Sequence, residues 1–268
     1  MKSKNTSVAA LAAIVTVVTL GLARQTNAAI LLAPGAIQVR YTLGEDGLGW
    51  ASNLQNDASG NGRTMALGGN NGTWAGPALA PGSSGSIFVN STSVAGNGGT
   101  QAYVMNNTAG MATDFQTSIF LSAPDNFGGG NSSLATVLAV GDLRLEAINT
   151  IGLNHIYSAR IGDSSLGSIT VGANEAVTGL LVQKVGNTFS FWASTNAGVS
   201  WTQQGEDLVT PSTFINWEAT HLFITPGGGG QYSGYADDFM VAAVNPVPEP
   251  STTLLGGIGL LYLLRRKR

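Results

Sequence analysis

The chain has 268 residues, only 10% of them charged, with 37 glycines and no cysteine. That length suits one sizeable domain with two short ends, and the lack of cysteine excludes disulfides, thiolate metal sites, iron–sulfur clusters and a cysteine nucleophile. Between residues 30 and 250 lie all 15 acidic residues but only five basic ones (Arg40, Arg63, Arg144, Arg160 and Lys184), a net of −10. Such a body has no electrostatic footprint for phosphate backbones, so nucleic acid is excluded as a partner.

The start of the chain, positions 1–29, reads as a secretory signal peptide. Lys2 and Lys4 form a basic start, and residues 8–22 are 15 uncharged, mostly apolar residues. That run is short for a membrane span of about 20 residues. Thr26, Asn27, Ala28 and Ala29 are small and polar enough to form a signal peptidase site after Ala28 or Ala29. The expected mature chain is therefore exported.

From residue 30 onward no long helical period exists, and strand-like runs recur instead. The first covers 37–43. Residues 53–99 are rich in Gly, Ser and Asn, and read as long loops around one or two short strands such as 87–89. Further strands are predicted at 113–122, 136–140, 143–148, 155–161, 168–171, 179–185, 188–193, 221–224 and 239–244. Phe115, Thr117, Ile119 and Leu121 share one face of their strand, and Phe189, Phe191 and Ala193 share one of theirs. Gly186-Asn187 is a two-residue hairpin turn. Thr195-Asn196-Ala197-Gly198 turns the chain again, and a third strand begins at Val199-Ser200-Trp201-Thr202. No αβα alternation occurs, which disfavours a parallel-sheet enzyme.

The segment 181–192 with 194–202 resembles the central meander of concanavalin A-like jelly-roll domains, the sandwiches shared by laminin-G-like modules and lectins. Residues 222–224, a glycine run and Ala236-Asp237-Asp238-Phe239-Met240-Val241 resemble their closing strand. The likeness covers residues 113–244 and implies an all-β, antiparallel jelly-roll β-sandwich, within a domain expected over residues 30–245 with a loop-rich N-terminal part. Ser194-Thr195-Asn196-Ala197-Gly198-Val199-Ser200-Trp201 also resembles one Asp-box hairpin of sialidase propellers, with Asn196 in place of the usual Asp. In either fold that hairpin is a structural turn.

No catalytic set is legible. His155 and His221 lack any metalloprotease spacing, and no nucleophile elbow exists. Asp142, Glu146, Glu206 and Asp207 are carboxylates of the type glycosidases use, but nothing in the sequence sets two of them roughly 5 to 9.5 Å apart. No cofactor is expected; Asp237 and Asp238 are the candidate calcium ligands, because calcium prefers carboxylate oxygens. Trp50, Trp74 and Trp217 lie near loops and are the candidate carbohydrate-binding residues, since flat rings stack on sugar C–H faces. Trp192 and Trp201 read as core or cross-strand partners.

The end of the chain has three parts. Pro248-Glu249-Pro250 blocks regular structure. Residues 252–264 are mostly apolar and span roughly 20 Å as a helix, short against a bilayer core of about 30 Å. Arg265, Arg266, Lys267 and Arg268 close the chain, and such a cluster stays cytoplasmic. This order over residues 246–268 resembles the PEP-CTERM sorting signal of Gram-negative bacteria. The resemblance implies an exosortase-type protease as partner, a transient inner-membrane anchor, and an association with exopolysaccharide and biofilm matrix. The sequence thus points to an exported envelope or extracellular-matrix protein, not an enzyme, with a structural or carbohydrate-contacting sandwich. The alternative is a secreted jelly-roll glycoside hydrolase or lyase.

Overall fold

The structure is a computed structural model that describes residues 30–43, 57–67, 74–76, 78–83, 85–90, 103–122, 133–149, 154–172, 178–224 and 233–244. Met1–Leu31 and Leu32–Arg268 are separate units, and the sandwich belongs to the second. The signal peptide (1–29), Trp50 and the sorting residues Pro248, Glu249, Pro250, Arg265, Arg266, Lys267 and Arg268 lie outside the described residues. Among the described residues no helix is long and apolar enough to cross a membrane.

Sixteen strands and two short 3-10 turns make up the described chain. They are β1 (Ile37–Tyr41), β2 (Met65–Leu67), β3 (Trp74–Gly76), β4 (Ser86–Asn90), β5 (Tyr103–Met105), β6 (Phe115–Ser122), β7 (Ser133–Val140) and β8 (Leu143–Asn149). Then come β9 (His155–Ile161), β10 (Ser164–Val171), β11 (Thr178–Val185), β12 (Thr188–Ser194), β13 (Thr202–Gln203), β14 (Leu208–Val209), β15 (Thr220–Ile224) and β16 (Ser233–Ala243). A nine-stranded sheet runs β13-β12-β11-β6-β16-β4-β3, with β1 also on β16 and β14 on β12; a seven-stranded sheet runs β10-β9-β8-β7-β15-β5-β2. Every pairing is antiparallel. The late strands return beside the early ones, β15 beside β7 and β16 beside β6, which gives the jelly-roll sandwich.

The core fills the space between the sheets. Phe115, Ile119, Leu121, Leu180, Val182, Phe189, Phe191 and Phe239 come from the nine-stranded sheet, and Leu138, Leu145, Tyr157 and Leu222 from the seven-stranded one. Alternation along each strand produces this. Each fully buried Phe contributes roughly 1.5–3 kcal/mol relative to an exposed one. Gly186 takes φ +57 at the β11–β12 turn and donates its N–H to Asp114 Oδ1 at 2.7 Å.

Three strand expectations need correction. The 53–99 region holds three short strands, β2, β3 and β4, rather than one or two. The third strand of the meander is only Thr202–Gln203, because the Asn196 turn extends through Ser200. The closing strand, expected at 239–244 from alternation and at 236–241 from the resemblance, runs Ser233–Ala243, with Asp237 and Asp238 inside it.

Candidate functional site

Residues of the nine-stranded sheet that do not join the core point outward. On β6 these are Gln116, Ser118 and Phe120; on β16 they include Tyr235 and Asp237. The two ends of this face differ. At the end where β16 finishes, Gln116 and Gln183 sit side by side and grip the backbone of Leu32. Gln183 Oε1 accepts from Leu32 N at 2.8 Å, and Gln116 Nε2 donates to Leu32 O at 2.5 Å. The chain then joins β16 through Gly35 N to Ala243 O (2.8 Å) and Ala243 N to Ala36 O (2.9 Å). Residues 32–36 and the end of β16 therefore lie at the same end of the sheet.

At the opposite end Phe120 gathers Leu79, Ala80, Trp201 and Tyr235 into a cluster separate from the main core. The Phe120 and Trp201 rings lie 6.0 Å apart, tilted by 58°. Gly179 is the register partner of Phe120. A Cβ there would lie 2.8 Å from the Trp201 ring and 2.9 Å from Phe120, so only glycine lets both rings rest on the backbone. The Asn196 turn holds itself: Asn196 Oδ1 accepts from Ser200 N (3.0 Å) and Ser194 Oγ (2.8 Å), and Ser194 Oγ accepts from Gly198 N (2.9 Å). Its polar atoms bond within the turn and aim Trp201 at Phe120.

Asp237 lies directly beside Phe120 in the register and is fully buried. Its Oδ2 accepts from Leu79 N and Ala80 N, both at 2.9 Å, and so clasps residues 79–80 against Phe120. Its Oδ1 has no hydrogen-bond partner. Burial pushes the carboxyl above the usual carboxylate range, more than the opposing hydrogen bonds from Ala80, Ser83 and Leu79 pull it down. Asp238 is the extra residue of a β-bulge, since two β16 residues stand between the pairs Asp237–Phe120 and Met240–Ser118 while β6 has one. Its φ of +46 is unusual for a residue with a Cβ. A two-pronged bond from Arg40, 2.6 Å to Oδ1 and 3.2 Å to Oδ2, holds it. The two candidate calcium ligands are thus engaged separately. Among the described residues no three His, Cys, Asp or Glu side chains come together as a metal group.

The other candidates are dispersed. Trp217 opens a 3-10 turn and packs edge-on against Phe115 at 4.7 Å, so it is a partly buried plug of the main core rather than a loop aromatic. Trp74 lies in β3 at the far edge of the nine-stranded sheet. Glu146, on the seven-stranded sheet, binds Arg160 at 2.8 Å. Asp207 lies beside the opposite sheet and accepts from Gln203 Nε2 at 2.7 Å.

Among the described carboxylates, one that sequence reasoning passed over accepts four hydrogen bonds. Asp57 accepts from Arg40 N (3.0 Å), Ser59 N (2.9 Å), Ser59 Oγ (2.7 Å) and Arg63 N (3.3 Å). Burial alone would raise its pKa, but those four bonds together hold it below the usual range. Asp57-Ala58-Ser59-Gly60-Asn61-Gly62 is the turn chemistry that could have flagged it. Asp57→Ala should cost about 2 kcal/mol at pH 7. A lowered folded pKa adds stability above the ordinary carboxylate pKa of about 4 and loses it as pH falls. The gap between wild type and variant in urea midpoint should therefore narrow from pH 7 to pH 3; an unchanged gap would contradict this role.

Comparison with known proteins adds a decisive observation at the other end of the chain. Residues 246–268 match a family described as the PEP-CTERM protein-sorting motif. This segment is a PEP-CTERM sorting signal. A protein carrying it is exported and sorted to the envelope or beyond, with an exosortase as the processing protease. The PEP-CTERM tail follows Val244, whose N–H is fixed to Asp114 O at 3.0 Å. No curated protein matches the chain in sequence. Among solved structures it is similar to a botulinum neurotoxin type G receptor-binding domain (9% identity, TM-score 0.48, 80% of this chain and 49% of that one). It is also similar to Trypanosoma rangeli sialidase (11%, TM-score 0.46, 78% and 31%) and to an engineered GH43 glycoside hydrolase (10%, TM-score 0.47, 82% and 42%). The chain thus spans about half or less of each of these structures. At these scores the fold rests on this chain's own strand order.

Proposed function

We propose that the exported protein is a non-catalytic β-sandwich of the envelope or extracellular matrix that contacts carbohydrate. The sorting motif carries the reading: it delivers the sandwich to the surface where exopolysaccharide and biofilm matrix accumulate. Signal peptidase cuts after Ala28 or Ala29. The short apolar run of the tail then serves as a transient inner-membrane anchor until the exosortase acts, with the basic cluster on the cytoplasmic side.

Carboxylate placement supports binding over catalysis. Glycosidases need two carboxyl groups roughly 5 to 9.5 Å apart in a cleft. Here Asp237 is tied to backbone N–H groups, Asp238 to Arg40 and Glu146 to Arg160. Sugar contact asks less: a ring or two and a few hydroxyl or amide partners. The acidic body favours neutral or cationic glycans, since like charges repel.

The secreted mature protein, run in gels containing neutral polysaccharides, should migrate more slowly than in plain gels and release no reducing ends. Sustained release of reducing ends, abolished by one carboxylate substitution, would instead establish the jelly-roll hydrolase alternative.

A further inference from the structure

We infer that the outward cluster of Phe120, Trp201 and Tyr235 is a stacking site for an uncharged sugar residue, held at the end of the sandwich opposite the sorting tail. This rests on the carbohydrate-contacting role proposed above and gives it a place.

The first support is position. These aromatics lie outside the main core, whose volume other side chains already fill. Trp201 and Tyr235 remain partly exposed while Phe120 is nearly buried beneath them. A shallow aromatic floor of this kind matches the apolar C–H face of a pyranose ring.

The second support is rigidity. Trp201 is fixed by the self-bonded Asn196 turn and by the bare backbone of Gly179. Phe120 rests against Gly198, where a Cβ would lie 3.0 Å from the ring. Asp237 clasps Leu79 and Ala80 against the cluster from the other side. Rings already in place lose little freedom on binding, which favours affinity.

Charge then fixes the ligand class. Among the described residues around the cluster, 78–83, 118–122, 178–181, 195–202 and 233–238, there is no Lys or Arg. The nearest basic side chain in the register, Arg40, is already bound to Asp238. A uronate, sulfate or phosphate group would meet carboxylates without a cation, so the sugar is neutral.

Orientation makes the site useful. β16 runs from Tyr235 at the cluster to Ala243 at the tail, and β1 leaves beside Ala243. While the tail sits in the membrane, only residues 245–251 separate the sheet from its apolar run, at most about 25 Å of chain. The cluster and the start of the tail thus lie at opposite ends of β16.

Tryptophan oxidation read by peptide mass spectrometry, on the secreted mature protein, tests this directly. The probes are dextran and laminarin as neutral glucans and alginate as an acidic control. A neutral glucan should slow the protein in an affinity gel and protect Trp201 about threefold while leaving Trp217 unchanged. Trp201→Ala and Tyr235→Ala should each weaken binding about tenfold, a loss of about 1.4 kcal/mol, with circular dichroism unchanged. Trp201→Phe should lose less. Binding with protection at Trp217, Trp74 or Trp50 but not Trp201 would overturn this site and leave the carbohydrate role standing. Preference for alginate would overturn the neutral assignment. No retardation by either glucan would overturn both.

Discussion

A chain that ends at Asn245 should fold as the full protein does and yet lose its C-terminal processing and envelope retention entirely. The sandwich closes without the tail. Its last strand is central to the nine-stranded sheet, flanked by β6 and by β4 and β1, and Val244 is already fixed to Asp114. The sorting motif, in contrast, lies in residues 246–268. Far-UV circular dichroism and urea midpoint should match those of the processed wild-type protein. Fractionation should place the shortened chain in the soluble exported fraction, with no membrane-bound precursor. A membrane-bound precursor of the shortened chain would contradict this division of labour, and so would loss of the β spectrum.

Gly167→Ala should remove about 4 kcal/mol, a large share of the roughly 5–15 kcal/mol that holds a typical domain folded. Gly167 lies in β10 at the edge of the seven-stranded sheet, where Gln204 and Gly205, in the loop between β13 and β14, pass against it. A Cβ there would lie 2.2 Å from Gln204 O and 2.6 Å from Gln204 C, both backbone atoms with no freedom to move aside. Its φ of +142 adds backbone strain. Overpacking and strain each cost about 1–3 kcal/mol. The contact is reciprocal: a Cβ on Gly205 would lie 2.3 Å from Leu166 O. Gly162 is the matched control. It also has positive φ (+54), but a Cβ there meets nothing within 4 Å, so Gly162→Ala should cost only about 1 kcal/mol. Urea midpoints of the two variants should separate widely. Equal midpoints would show that the sheet edges do not close on Gly167.

What the sequence made legible was local. β6, β11 and β12 lie within two residues of their expected bounds, because alternating apolar residues and the Gly186-Asn187 turn specify them without help from distant chain. β2 and β3 escaped notice because three-residue edge strands between glycines and asparagines carry too little alternation. The first half of β16 was hidden by Asp237 and Asp238, poor strand formers. Their charges are accommodated by Arg40, 198 residues away from Asp238, and by Leu79, 158 residues from Asp237. The same distance hid the site. Phe120, Trp201 and Tyr235 come from three segments that only the sheet register unites. Trp217, which looked like a loop aromatic, is drawn into the core by Phe115, a contact no local pattern announces.

Intact-mass analysis of the protein recovered from the envelope and the medium is the most direct test that this is an exported, tail-sorted sandwich. The expected product begins at Ala29 or Ile30 and lacks the terminal cluster Arg265–Arg268. Recovery of the uncut 268-residue chain from the cytoplasm would contradict it.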